Sequence, residues 1–264
     1  GTIKKINEIL NSPYQNGKTG PHVRQLKLDL KRLGFGKFPS NPSENYGDVT
    51  ERVVKEFQSA YNLKINGIFD SVSMNTLKRE LNALSKRIKI FIDPGHGGSD
   101  PGATSNGHQE KNFNLQIAKE IEKYLKQYKN VEIKLSRTND TYLSLSDRTK
   151  MANDWGADYY VSVHINAGGG TGFESYIFNN PTKDEIEKQK IIHDHIANNI
   201  SERDRGKKQA NFHVLRESKM SAILFEFLFI ENTSDRNKLL DNNYIKKLGR
   251  LTAEGIAYAF NLRK

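Results

Sequence analysis

Hydrophobic residues recur with helical spacing through the first 84 positions of the chain. Apolar side chains that are three or four positions apart share one face of a helix, and three such stripes are present. They comprise Val23, Leu26, Leu30 and Leu33; Val53, Val54, Phe57 and Tyr61; and Val72, Met74, Leu77 and Leu81. Gly34 ends the first stripe, Thr50 can cap the second helix, and the third helix starts after Asp70. The pattern predicts a small all-α domain of three helices over residues 1–84.

After a polar hinge near residues 85–87, the pattern changes to strands that alternate with helices. Segments rich in β-branched and aromatic residues predict strands at RIKIFID, VEIKLSR, DYYVSVH, GFESYIF, FHVLRES and AILFEF. Helices are expected at FNLQIAKEIEKYL, at SLSDRTKMANDW and near residues 244–260. This alternation indicates an α/β fold over residues 88–264, with a mixed, largely parallel sheet flanked by helices.

The composition favours a folded, exported protein. No apolar run approaches the ~20 residues of a membrane span. The chain contains no cysteine, so any transition metal must be bound by histidine and carboxylate side chains. It starts with Gly and shows no signal-peptide pattern, which is consistent with removal of a signal peptide. We therefore expect a secreted or cell-wall protein, and a monomer.

The chain is basic, with a net charge of +10. Such a field attracts polyanions, which could be nucleic acid or the anionic polymers of a bacterial wall. An ordinary lysine-rich, solvated surface explains the charge equally well. Because no nucleic-acid-binding motif accompanies the charge, we expect no nucleic-acid partner.

Side chains that can bind a metal lie at the ends of predicted strands. His96 follows RIKIFID in the loop DPGHGG, His164 ends DYYVSVH, and Glu226 lies near the end of AILFEF. The carboxyl ends of parallel strands meet at one edge of a sheet, where Glu110 can join them from just before a predicted helix. Two imidazoles and one carboxylate could bind zinc, and a second carboxylate could act as the base. The spacing includes no short metal motif, and Glu174 on a neighbouring strand is an alternative base.

Two sets of motifs resemble known families. LKRLGF, YGDVTERVVKEFQ and LKINGIFDSVSMNTL resemble the three-helix type of peptidoglycan-binding domain. IFIDPGHGGSDPGA, EKNFNL, DYYVSVHINA, GFESYIF, VLRES and AILFEFLFIEN, in this order, resemble the zinc-dependent N-acetylmuramoyl-L-alanine amidases of the third amidase family. The chain departs from these patterns at Asp70 and Leu228, where Gly is usual, and at Ser221, where Pro is usual.

The resemblance implies an autolysin, a hydrolase that cleaves the amide bond between N-acetylmuramic acid and L-alanine in peptidoglycan. It implies one zinc ion as the cofactor, bound by His96, Glu110 and His164, with Glu226 as the catalytic base. Asn166 is a candidate for substrate contact. The alternative is a catalytically inactive wall-binding protein on the same fold.

Several other polar residues are interpreted without a catalytic role. His108 is expected in a solvated loop, while His193 and His195 are expected at the surface or partly packed. Two positions apart on a helix, the last two point to different faces and do not suggest a metal pair. Arg148 is expected to form an ion pair or to cap a helix.

Overall fold

The computed structural model describes residues 13–85 and 87–264. Contacts between residues group the chain into two compact units, which join between positions 86 and 87. Lys86 in the predicted hinge, and residues 1–12 of the predicted helical domain, lie outside the described residues. In the part of the chain that is described, no helix has both the length and the apolar composition needed to cross a membrane.

The described part of the first unit contains three helices, as predicted. They are α1 (Pro21–Arg32), α2 (Asp48–Ala60) and α3 (Ser71–Ser85). Their inward faces form one hydrophobic cluster, with fully buried side chains at Val23, Leu30, Val54 and Phe57. The buried Lys27 donates hydrogen bonds to backbone oxygens of Ser43 and Asn45, 2.9 and 2.7 Å away, and thereby fastens the loop between α1 and α2.

Two details of these helices were predicted wrongly. Thr50 is not a cap, because α2 begins two residues earlier with Gly47 at its N-cap position and Thr50 is buried in the first turn. Val72 was expected to face inward but is 57% exposed. It lies two positions before Met74, which places the two side chains on nearly opposite sides of α3. Asp70, where Gly is usual, accepts a 2.9 Å hydrogen bond from the backbone N–H of Ser73 and so caps α3.

A six-stranded sheet forms the centre of the second unit. Its strands are β1 (Ile88–Pro94), β4 (Val131–Leu135), β5 (Tyr159–Asn166), β6 (Phe173–Ile177), β7 (Asp204–Gln209) and β8 (Ser221–Phe229), with β2 (Thr104–Ser105) and β3 (His108–Gln109) forming a separate small hairpin. The spatial order is β4-β1-β5-β8-β6-β7, and only the β6–β8 pair within this sheet is antiparallel. The predicted mixed, largely parallel sheet is confirmed.

Helices cover both faces of this sheet. One face carries α4 (Glu110–Leu125), α6 (Lys183–Ala197) and α9 (Asn242–Ala259), and the other carries α5 (Leu145–Trp155) and the short α7 (His213–Arg216), while α8 (Thr233–Leu239) follows β8. Along β1, Ile90 and Ile92 belong to the core on the first face and Phe91 to the core on the second. Strands buried on both faces have nearly continuous hydrophobic sequences, which made them recognisable.

One strand predicted for the six-stranded sheet was wrong, and one strand of that sheet was missed. FHVLRES does not form a strand, because its centre is the helix α7, which buries the adjacent side chains of Val214 and Leu215 against the second face. The sixth strand is instead β7, with the sequence DRGKKQ. β7 lies at the edge of the sheet and pairs only with β6, so its polar side chains can remain in contact with water.

Candidate metal centre

The three predicted metal ligands converge at one edge of the sheet. One nitrogen or oxygen atom from each of His96, Glu110 and His164 lies within 4.8 Å of the others. Nε2 of His96 is 3.2 Å from Oε2 of Glu110, and Nδ1 of His164 is 2.9 Å from Oε1 of the same carboxylate. His96 follows β1 and His164 lies on β5, and these strands are parallel neighbours. Glu110 is the first residue of α4 rather than a residue before the helix.

Glu110 is buried and held by hydrogen bonds on both oxygens. The backbone N–H of Ala103 donates to Oε2 at 2.9 Å, and the N–H of Ile165 donates to Oε1 at 3.1 Å. The side-chain amide of Asn114 also donates to Oε1, at 3.2 Å. Burial would raise the pKa of Glu110, but hydrogen bonds to the two histidines outweigh it and hold the pKa well below its usual value. The group is therefore an ionised, pre-oriented carboxylate.

The loop that carries His96 is held by two buried arginines. His96 has a positive φ of 60°, which is uncommon for a residue with a side chain. Arg148 donates to its carbonyl oxygen at 2.7 Å and forms a 2.7 Å ion pair with the buried Asp93. Arg137 donates to the carbonyl oxygens of Pro94 and Gly95, both at 3.0 Å. The ion pair expected for Arg148 is confirmed, and its effect is to hold the His96 loop.

Asp100 orients the ring of His96. Oδ2 of Asp100 is 2.8 Å from Nδ1 of His96, which leaves Nε2 facing Glu110. Burial lowers the pKa of His96, but hydrogen bonds and charge from Glu110 and Asp100 outweigh this and raise it to about 9. The pKa of His164 is also raised, since Glu110 outweighs the effect of burial. Both imidazoles thus lie in a negative environment that favours a bound cation as well as a proton.

Two glycines leave room for these side chains. A Cβ atom at Gly95 would lie 2.1 Å from Cε1 of His164, and one at Gly102 would lie 2.6 Å from Oε2 of Glu110. Neither distance is possible between non-bonded atoms, so the cluster requires glycine at both positions. Two imidazole nitrogens and one carboxylate oxygen, with a carboxylate behind one imidazole, are a donor set that suits zinc. The residues present therefore fit a single zinc ion.

Glu226 lies beside this cluster on β8. Its Cα is paired with that of His164 on β5 and with that of Glu174 on β6. Oε2 of Glu226 is buried and has no hydrogen-bond partner among the described residues. Burial raises the pKa of Glu226 to about 7. Together with His96 and His164, Glu226 lines a cavity of about 250 Å³.

Glu174, the alternative base, has a different environment. Its carboxylate is buried and accepts hydrogen bonds from Arg205 at 2.7 Å and Tyr176 at 2.8 Å, and it also pairs with Lys208. Burial would raise the pKa of Glu174, but Lys208 and Arg205 outweigh it and lower the pKa. Glu174 does not line the cavity. A carboxylate with this many partners is suited to a structural role.

Asn166 lies at the end of β5, and its side-chain amide is engaged within the protein. Nδ2 donates to Glu174 at 2.7 Å, and Oδ1 accepts a 2.8 Å hydrogen bond from the N–H of Ala167. The residue does not line the cavity. Its contact with substrate stays a prediction.

Three of the remaining histidines lie in different environments. His193 was expected to be at the surface or partly packed, but it is fully buried, 2.8 Å from Ser175 Oγ and 2.9 Å from Asp204 Oδ1. It joins α6 to β6 and β7. His108 was expected in a solvated loop, but it lies partly buried on β3, with its ring centroid 6.1 Å from that of Phe113, and does not line the cavity. His213 lines the cavity and is the first residue of α7. The sequence did not single it out as a functional residue.

Comparisons with known proteins match the segment that contains the metal cluster. The family model for N-acetylmuramoyl-L-alanine amidase matches residues 90–258, and a peptidoglycan binding domain model matches residues 19–84. The chain is 54% identical over 178 residues to a sporulation-specific N-acetylmuramoyl-L-alanine amidase of Bacillus subtilis, covering 67% of this chain and 70% of the relative. It is 40% identical over 181 residues to an endolysin of Bacillus phage SPP1, covering 66% of this chain and 67% of the relative. A crystal structure of N-acetylmuramoyl-L-alanine amidase from Clostridium difficile superposes with a TM-score of 0.65 at 38% identity, covering 67% of this chain and 98% of the other.

Proposed function

The chain belongs to the N-acetylmuramoyl-L-alanine amidase family, and we propose that it is a one-zinc enzyme that cleaves the bond between N-acetylmuramic acid and L-alanine in peptidoglycan. The observation that carries this proposal is the position of Glu226. A carboxylate with an unpartnered, buried oxygen shares a cavity with a cluster that fits a metal ion.

His96, Glu110 and His164 would hold the zinc ion. When bound, zinc polarises the scissile carbonyl and acidifies a water molecule. Glu110 supplies a full negative charge that is already oriented by backbone N–H groups, and Asp100 keeps His96 turned toward the site. The buried ion pair of Arg148 with Asp93 keeps the His96 loop in place.

Glu226 would act as the general base and then as the general acid. It removes a proton from the attacking water and delivers it to the nitrogen of L-alanine, because an amine must be protonated before it leaves. A pKa raised by burial to about 7 suits both steps near neutral pH. The carboxylate of Glu174 is already paired with basic side chains, so Glu174 is the poorer candidate for this proton transfer.

We further propose that residues 1–84 bind the wall and residues 88–264 perform the reaction. The peptidoglycan binding domain model matches within the first of these segments, and the amidase model matches within the second. The protein would then work outside the cytoplasm, in the cell wall. The basic charge of the chain would add attraction to anionic wall polymers, as the sequence predicted.

Digestion of purified peptidoglycan tests the proposal. The chain with zinc should release peptides that carry a new L-alanine amino terminus, detected by amine labelling and mass spectrometry, without new reducing sugar ends. New reducing ends would indicate a glycosidase instead. If neither product forms, the result favours the alternative of an inactive wall-binding protein. The matched control is Glu226→Gln, which preserves the size of the side chain and removes the base.

A further inference from the structure

A second residue that lines the cavity beside the metal cluster, besides Glu226, has a buried polar atom without a partner. Among the described residues, four buried side-chain nitrogen or oxygen atoms lack a hydrogen-bond partner. Two of them, Oε2 of Glu226 and Nε2 of His213, belong to residues that line this one cavity. A buried polar atom without a partner costs stability, so folded proteins contain few of them. Because both atoms belong to residues of the same cavity wall, we infer that a ligand bound there supplies the missing partners.

His213 is presented to the cavity by a rigid segment. The next two residues, Val214 and Leu215, are buried in the core on the second face of the sheet. Asn153 on α5 fastens the end of the segment, because its amide donates to the carbonyl of Glu217 at 3.0 Å and accepts from the N–H of Lys219 at 2.9 Å. The backbone that follows His213 is therefore held in place by packing and by hydrogen bonds.

The residues around His213 would allow a hydrogen bond at this position to orient a ligand. Tyr142, Leu145 and Phe212 also line the cavity and are 54%, 55% and 40% exposed, so the cavity has an apolar rim. Asp93 and Arg148 line it too, but they are paired with each other. Polar groups placed singly among apolar ones determine the orientation of a ligand.

We propose that His213 is a substrate-binding residue whose Nε2 forms a hydrogen bond with an amide group of the muramyl peptide. The inference rests on the proposed function of this cavity. A neutral imidazole nitrogen can donate to a carbonyl or accept from an N–H, and amide groups of the substrate offer both. The contact orients the substrate between Glu226 and the metal ligands.

Two amide variants separate this role from a structural one. In His213→Gln the terminal amide reaches the position of Nε2, whereas in His213→Asn it reaches only the position of Nδ1. With soluble muropeptides as the substrate, we expect His213→Asn to lower kcat/KM by about tenfold or more, the loss typical of one removed hydrogen bond to a substrate. His213→Gln should remain within about threefold of the unchanged chain.

Metal content and thermal unfolding complete the test. Both variants should retain the zinc content of the unchanged chain and should unfold at the same temperature as each other. If the lower kcat/KM of His213→Asn is accompanied by less bound zinc than in the unchanged chain, or by a lower unfolding temperature than that of His213→Gln, the proposal is overturned. The histidine would then be structural. Full activity of His213→Asn, or an equal loss in His213→Gln, would also overturn it. Absence of amide cleavage by the unchanged chain is a different result, which contradicts the proposed function itself.

Discussion

Glu226 on β8 lies directly opposite His164 on β5, and a β-bulge follows immediately after this pair. The next paired residues are Phe229 and Asn166, so β8 contains one residue more than β5 over this stretch. Leu228 lies within the bulge and has a positive φ of 72°. The family usually has glycine at this position, and the backbone keeps the left-handed conformation although the side chain is leucine.

Substitution of Leu228 should reveal the backbone strain of a leucine in the left-handed conformation. Leu228→Ala and Leu228→Gly both remove a buried side chain, at a cost of roughly 2–5 kcal/mol. Only glycine relieves the left-handed backbone, so Leu228→Gly should be about 1 kcal/mol more stable than Leu228→Ala. Denaturant unfolding measures the difference. At the buried Ile223 of the same strand, which has no positive φ, the order should reverse because glycine is less favourable in ordinary strands. If Leu228→Ala is instead more stable than Leu228→Gly, the order expected at Ile223, the bulge is not strained.

Glu226→Gln should retain zinc and lose turnover by roughly 10²–10⁴, since proton transfer is removed while the ligands remain. Glu174→Gln is the matched control on the neighbouring strand. It should retain zinc and most turnover but lower the unfolding temperature, because Arg205 and Lys208 lose the charge of their partner. Muropeptide turnover and bound zinc are measured for both. A larger loss of turnover in Glu174→Gln would show that Glu174, and not Glu226, is the base.

The raised pKa of Glu226 predicts a pH-dependent stability in zinc-depleted protein. Burial raises its pKa from 4.5 to about 7, so the folded chain favours the neutral acid. The stability from this group is fully present below about pH 4.5 and is lost as the pH rises through about 7. Glu226→Gln should therefore gain stability relative to the unchanged chain by up to about 3 kcal/mol between these limits. Unfolding at pH 4.5, 6 and 8 measures this gain. A difference that is constant across pH would contradict the assigned environment.

Residues 88–264 alone should cleave soluble muropeptides at the rate of the full chain but should act more slowly on intact walls. A tethered binding domain raises the local concentration of the active site at an insoluble polymer without contacting the scissile bond. The rate on both substrates and sedimentation with purified walls are compared. If the two forms sediment equally, residues 1–84 do not bind the wall.

Much of the fold and the core of the site could be predicted because they depend on local pattern. Strands buried on both faces have distinctive sequences; His96 comes shortly after one of them, β1, and His164 lies near the end of another, β5. β7 was missed because an edge strand needs no hydrophobic alternation. His213 was missed for a related reason: FHVLRES has the composition of a strand, but its centre is a helix that packs Val214 and Leu215 against the sheet. The contribution of His213 to the cavity depends on contacts between residues that are far apart in the sequence. The spacing of motifs does not predict such contacts.

In the proposed mechanism, one zinc ion held by His96, Glu110 and His164 enables the cleavage. Stepwise addition of zinc to metal-depleted protein tests it most directly, with release of L-alanine amino termini measured at each step. Activity should be absent at the start, rise in proportion to added zinc and reach its plateau at one equivalent per chain. Full activity before any zinc is added, or no activity at one equivalent, would show that this mechanism is wrong.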